Sequence, residues 1–215
     1  MRILFQGDSI TDGNRLKTNE CDLNHQIGHS YAYLVTSQWS FQNYNKQLKF
    51  INRGISGNRI FDLYARLQED VLKIEPDVLS ILIGVNDVGQ QVKEKAGHMP
   101  KRFEKAYRML LDDVLEERPN CRIVLCEPFI LPVAQVKEQY ELWNCLISEV
   151  QASIGRIAED YPVLYIPLQE KFNKLASLRE PEYWLWDGVH PTEAGHQMIA
   201  NEWMAAVSPW VTNNA

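Results

Sequence analysis

A serine, an aspartate and a histidine occupy positions from which they could share one reaction. Ser9 lies in Gly7-Asp8-Ser9-Ile10-Thr11-Asp12-Gly13, and Asp187 and His190 stand three apart in Trp186-Asp187-Gly188-Val189-His190-Pro191-Thr192. A hydroxyl becomes a nucleophile when an imidazole takes its proton and a carboxylate orients that imidazole. A turn at Asp187 to His190 can bring the carboxylate to one ring nitrogen and leave the other pointing away. Ser9 has a second reading. Followed by Asp12, it has the form of a capping box, in which hydroxyl and carboxylate satisfy the orphan amides of a helix start.

Which reading holds depends on what positions these residues. Short apolar runs rich in branched side chains recur at Arg2 to Gln6, Lys49 to Asn52, Val78 to Ile83, Arg122 to Cys126 and Val163 to Ile166. Each is followed by a longer segment with helical spacing, such as Ile60, Leu63, Tyr64, Leu67 and Val71, or Trp143, Leu146, Ile147, Val150, Ile154 and Ile157. Alternating strands and helices predict an α/β fold, a parallel sheet between two helical layers, with five strands in the order 2-1-3-4-5. No repeat or linker interrupts the chain, so residues 1–215 read as one domain. The segment from Thr11 to Gly28 is polar and patternless, and reads as a long loop.

In such a sheet, ligands bind beyond the carboxyl ends of the strands, near the reversal of strand order. The turns there are Gly7-Asp8-Ser9, Arg53-Gly54-Ile55-Ser56-Gly57-Asn58 and Gly84-Val85-Asn86-Asp87. They offer three donors to an oxyanion: the amide of Ser9 at a helix start, the amide of Gly57 and the Asn86 carboxamide. Acyl transfer needs such donors to stabilise its tetrahedral intermediate.

Four blocks resemble those of the GDSL, or SGNH, hydrolases: Gly7-Asp8-Ser9-Ile10, Gly57 in Ile-Ser-Gly-Asn, Gly84-Val85-Asn86-Asp87, and Asp187-Gly188-Val189-His190-Pro191. They occur in the family's order across residues 7 to 191, with Ile10 where the name-giving motif has leucine. The resemblance implies a flavodoxin-like three-layer fold and serine esterase chemistry without a metal or other cofactor. It implies Ser9 as nucleophile, His190 as base, Asp187 as its partner, and Ser9, Gly57 and Asn86 as the oxyanion hole. Within the family the chain is most similar to the bacterial acetylxylan esterase type, which implies removal of acetyl groups from sugars such as xylooligosaccharides. A thioesterase or lysophospholipase of the same family, or a noncatalytic carbohydrate-binding relative, are the rival readings. The polar Asn14 to Asn24 stretch speaks against an apolar groove for long acyl chains.

Around these blocks, Trp184 and Trp186 could pack flat faces on a sugar ring or on the protein core, and Arg53 or Arg59 could bind a carboxylate or sugar hydroxyls or serve a structural role. Asp8 and Asp87 read as braces that accept backbone amides, and Asp12 as a cap. His25 and His29 have the spacing of a helical metal pair but no evident third ligand, so they read as loop histidines. His98 and His196 read as structural.

The bulk properties exclude other classes. A net charge of −6 over 215 residues, spread without a basic block, disfavours a nucleic-acid partner. No apolar run approaches the roughly 20 residues of a membrane span. Ile3 to Phe5 is too short for a signal-peptide core, so the fold is expected to begin at the start of the chain. Cys121 and Cys126 bracket a strand that would hold them about 16 Å apart, too far for a disulfide. A reduced, cytoplasmic protein is therefore expected, with room for a homo-oligomer. Activity should rise with pH as His190 loses its proton near its ordinary value of about 6.5, unless Asp187 shifts it.

Overall fold

A computed structural model describes residues 1–18, 25–94 and 99–212. The five apolar runs form strands β1 (Arg2–Gly7), β2 (Lys49–Asn52), β3 (Val78–Leu82), β4 (Arg122–Cys126) and β5 (Val163–Ile166). They make one parallel sheet in the order β2-β1-β3-β4-β5, as the alternation predicts. Ile3, Leu4 and Phe5 of β1 and all of β3 are buried, because helices cover both faces of the central strands.

In chain order the helices are α1 (Ser9–Asp12), α2 (Tyr31–Gln42), α3 (Ile60–Ala65), α4 (Leu67–Asp70), α5 (Val85–Glu94), α6 (Met99–Glu117), α7 (Ala134–Glu138), α8 (Tyr140–Asp160), α9 (Gln169–Ala176) and α10 (Glu193–Thr212). Helix α2 packs on α10, and α6 packs on both α3 and α8. Between α2, α10 and the sheet, Trp203 sits 5.2 Å from the rings of both Phe5 and Trp39. Its indole N–H donates to Ser80 Oγ on β3 at 2.9 Å, so α10 is held in register with the strand that leads to Asn86. Such a bond matters because a buried donor without a partner is costly.

Two expectations need correction. The periodic stretch from Ile60 to Val71 is not one helix but two, α3 and α4, followed by a short 3-10 turn at Leu72–Ile74. Arg66 sits at the break, bonded to Asn58 Oδ1, the Arg53 carbonyl and Asp70. Asn58 and Arg53 lie outside the periodic stretch and are invisible to its spacing. The region read as one loop from Thr11 to Gly28 contains the end of α1 and a 3-10 turn at His25–Ile27, while residues 19–24 lie outside the described residues. His98 also lies outside them, and nothing is described of the His25 side chain.

Candidate active site

Strand β1 ends in Gly7, and the chain turns at once into α1. Asp8, not Ser9, caps that helix: its Oδ1 accepts the Ile10 amide at 3.0 Å. The capping-box reading of Ser9 and Asp12 is therefore displaced by one residue, and Ser9 is the first residue within the helix. Its amide is one of the orphan donors of a helix start, and its hydroxyl is not engaged in capping. Ser9 Oγ lies 2.8 Å from His190 Nε2.

Asp12 caps nothing. Its carboxylate accepts the Arg15 amide at 3.1 Å and the Ser56 amide at 3.0 Å, and Lys17 stands 3.1 Å away. Burial alone would raise its pKa, but the Ser56 amide and Lys17 outweigh that and hold it below the ordinary value. Asn52 completes the brace by donating to the carbonyls of Thr11 and Ile27 at 2.6 and 2.8 Å, and its Oδ1 accepts the Gly54 amide at 2.8 Å. The second turn is thereby fastened to the Ser9 turn. Gly54 permits this contact, since a Cβ there would meet the Asp12 amide at 2.4 Å.

Gly57 follows at φ +82°, and a Cβ on it would meet nothing within 4 Å. Its constraint is backbone conformation, and its amide has no partner among the described residues. Asn86 opens α5, with one hydrogen of its Nδ2 donated to the Asn58 carbonyl at 3.1 Å. That carbonyl can only accept, so the carboxamide cannot flip, and its second hydrogen stays free. Ser9, Gly57 and Asn86 line one cavity of ≈ 860 Å³ together with His190 and Trp186.

The histidine loop is held by its own acid. Asp187 Oδ2 lies 2.7 Å from His190 Nδ1, while Oδ1 accepts the amides of Val189 and His190 at 2.9 and 2.7 Å. Gly188, at φ +90°, is pressed against the carbonyls of Leu131 and Val133, and its own carbonyl accepts the Leu131 amide at 2.9 Å. Burial would raise the Asp187 pKa, but the bonds from the His190 ring and the two amides bring it below the ordinary carboxylate value. The bond to Asp187 raises the His190 pKa, against burial, and the Asp8 charge adds to the rise.

Two further carboxyls sit beneath these loops. Burial pushes Asp8 up to about 7, and its Oδ2 is buried without a hydrogen-bond partner. Asp87, whose Oδ2 accepts the Ile60 amide at 3.3 Å, is likewise pushed up to about 7, chiefly by burial and also by Asp8.

Of the tentative substrate contacts, only Trp186 borders the cavity. Its ring is 60% exposed and stacks on His190 at 5.4 Å and 19°. Trp184 instead makes an edge contact with Tyr183 at 4.9 Å. Arg53 turns its guanidinium to Asp70 at 3.5 Å, and neither Trp184 nor Arg53 lines the cavity. Arg59 lines a second cavity of ≈ 440 Å³ that shares Gly57, Asn86 and His190 with the first. Its guanidinium is bonded to Asp62 and Gln90. His29 and His196 line the larger cavity, which sequence reasoning did not foresee. Among the described residues no group of three His, Cys, Asp or Glu side chains is placed to hold a metal.

Known proteins share this layout. The sequence profile of the GDSL-like lipase/acylhydrolase family matches residues 5–198. The chain belongs to that family. This GDSL-like hydrolase is 32% identical to the acetylxylan esterase of Geobacillus stearothermophilus over 98% of its own length and 95% of the relative's. A solved structure of that esterase superimposes with a TM-score of 0.83 at 32% identity, covering 96% of this chain and 93% of the other. A solved protein described as a GDSL-like lipase, from Parabacteroides merdae, superimposes with a TM-score of 0.90 at 38% identity over 96% and 95% of the two chains. Catalytic mutants of the Geobacillus esterase have been solved with a serine, an aspartate or a histidine replaced by alanine. The GDSL-like hydrolase described here is a carboxylic ester hydrolase, and no described helix is long and apolar enough to cross a membrane.

Proposed function

We propose that this esterase removes short acyl groups, acetyl foremost, from the hydroxyls of a carbohydrate such as an acetylated xylooligosaccharide, by way of an acyl-Ser9 intermediate. The observation that carries the chemistry is the continuous relay of 2.8 Å from Ser9 Oγ to His190 Nε2 and 2.7 Å from Nδ1 to Asp187. Asp187 fixes the proton on Nδ1, which leaves Nε2 bare to accept the Ser9 proton. Ser9 Oγ attacks the ester carbonyl carbon, and the carbonyl oxygen becomes an oxyanion. The Ser9 and Gly57 amides and the free hydrogen of Asn86 receive it. The bond from carbon to the alcohol oxygen then breaks, and the Nε2 proton passes to the departing alcohol. Water attacks the acyl-enzyme with His190 taking its proton, the acid leaves, and Ser9 recovers its hydrogen.

The acetyl-carbohydrate half of the reading is supported by likeness to the acetylxylan esterase along nearly the whole chain. It is also supported by the aromatic face of Trp186 beside His190. The same reading sets the enzyme in the cytoplasm, in keeping with the free thiols of Cys121 and Cys126. Hydrolysis of p-nitrophenyl esters of graded chain length, and of acetylated xylooligosaccharides, by the wild type and Ser9→Ala tests it. Turnover is expected to fall with chain length and to vanish in Ser9→Ala. Retained turnover in Ser9→Ala would refute the nucleophile, and a preference for long chains would refute the acetyl reading.

A further inference from the structure

His196 stands on the first turns of α10, where it lines the larger cavity with Ser9, Trp186, Glu193 and Gln197. Its Nδ1 is 3.1 Å from the amide of Tyr31, the first residue of α2. A backbone N–H can only donate, so Nδ1 must be bare and the ring proton must reside on Nε2. The tautomer is thus set by the orphan amide of another helix. Nε2–H has no protein partner among the described residues, although the ring is largely enclosed. Burial, helped by the neighbouring His29, brings the His196 pKa down to about 4, so the ring stays neutral through the range in which His190 works.

A neutral donor of fixed direction suits a neutral acceptor oxygen, such as a hydroxyl, ring ether or glycosidic oxygen. Opposite chemistry is at hand in the same cavity: the Glu193 carboxylate can accept hydrogen bonds from hydroxyls, and Trp186 supplies a flat apolar wall. A donor, an acceptor and an aromatic face together match a sugar ring better than an acyl chain. The negative Glu193 also disfavours an anionic group there. The smaller cavity, bordered by Arg59, Asp62 and Lys93, has one aromatic residue in its lining, Trp143, and that side chain is buried.

We propose that His196 is a specificity-determining residue that binds the alcohol half of the ester, its Nε2–H donating to a neutral oxygen of the sugar held between α10 and Trp186. This rests on the carbohydrate-esterase reading and adds to it a place for the sugar and a residue that selects it.

Two substitutions separate this role from that of a cap on α2. In His196→Asn, Oδ1 takes the place of Nδ1 and can still accept the Tyr31 amide, but nothing replaces Nε2–H. In His196→Gln, the side-chain amide reaches the Nε2 position, and the tie to Tyr31 is lost. The measurement is the ratio of kcat/KM for acetylated xylobiose to that for p-nitrophenyl acetate, with a thermal melt of each variant. Loss of one neutral hydrogen bond should lower the ratio about fivefold in His196→Asn, through KM, while His196→Gln keeps at least half of it. A wild-type ratio in His196→Asn overturns the proposal. So does an equal fall in both variants that tracks the loss of melting temperature, which would mark a helix cap alone. If the wild type does not turn over acetylated xylobiose while hydrolysing p-nitrophenyl acetate, the carbohydrate reading fails before any variant is made, and this inference falls with it.

Discussion

Asp187→Asn should be far more damaging than its near-isosteric size suggests. The reason is that Asp187 Oδ1 already accepts two backbone amides, those of Val189 and His190 at 2.9 and 2.7 Å. An asparagine must keep its carbonyl oxygen there, which turns its NH₂ toward His190 Nδ1. That group donates, so Nδ1 must become the acceptor and the ring proton must move to Nε2. A protonated Nε2 cannot take the Ser9 proton across the 2.8 Å contact. Restoring the productive tautomer requires the carboxamide to flip, which leaves the two backbone amides facing an NH₂ without an acceptor, at about 1–3 kcal/mol each. The total of about 2–6 kcal/mol corresponds to a fall of roughly 30- to 10⁴-fold in kcat/KM. The substitution also removes the negative charge that steadies the imidazolium, so the upper part of that range is expected. The assay is p-nitrophenyl acetate hydrolysis from pH 5 to 9, with a thermal melt to show that the loop remains folded. A loss of less than tenfold would refute the tautomer argument.

Other outcomes follow from the same geometry. In the wild type, kcat/KM should rise with pH through an apparent pKa above 6.5, because Asp187 raises that of His190; a midpoint below 6.5 would contradict this. The pairing also bears on stability. The His190 contribution is present below pH 6.5 and is lost as pH climbs through the raised folded value, as a melting series would report. Asn86→Ala should cut kcat by about 10²-fold or more with little change in KM if, as proposed, its second Nδ2 hydrogen serves the oxyanion rather than the ground state. Asp8→Asn keeps the cap on the Ile10 amide but removes a carboxyl whose folded pKa is about 7 against 3.8 unfolded. That shift destabilises the wild type progressively as pH rises from about 4 to 7, by up to about 4 kcal/mol. The melting temperature of Asp8→Asn relative to wild type should therefore climb across that interval and level off above it; a flat difference would show that Asp8 remains ionised in the fold.

The strands were legible because central parallel strands are buried on both faces, and their branched apolar runs are bounded by turn residues. Strand bounds agree with the sequence reading to within one residue, and the turns carrying Ser9, Gly57 and Asn86 lie where the strand order reverses. What the sequence concealed depends on tertiary partners. At the break after Ala65, Arg66 reaches Asn58 and the Arg53 carbonyl, outside the periodic stretch, and no glycine or proline marks the place. The cap moved from Ser9 to Asp8 because a one-residue shift in helix start leaves the local pattern nearly unchanged. Trp184 and Trp186 have identical types and adjacent settings, yet the bridge between Leu185 and Pro191 sends one toward Tyr183 and the other over His190. His196 gave no signal at all, since a lone histidine on a helix does not announce which distant amide will set its tautomer.

The seating of Gly188 against Leu131 and Val133 has a bearing on how the enzyme ages under heat. Ser9 is anchored by the sheet, whereas Asp187 and His190 form a small self-bonded loop, docked among the described residues by the Leu131 amide bond, by Gly188 in a close-fitting recess and by the buried Val189. Ser9 and the loop belong to different elements, and their functional side chains meet at the Ser9–His190 contact. Such a loop can lift while the sheet persists. Warming should accordingly silence ester hydrolysis several degrees before far-ultraviolet circular dichroism registers melting, and cooling from that interval should restore activity in full. The hydrolase would then act as a reversible thermal fuse whose setting lies in the recess under Gly188.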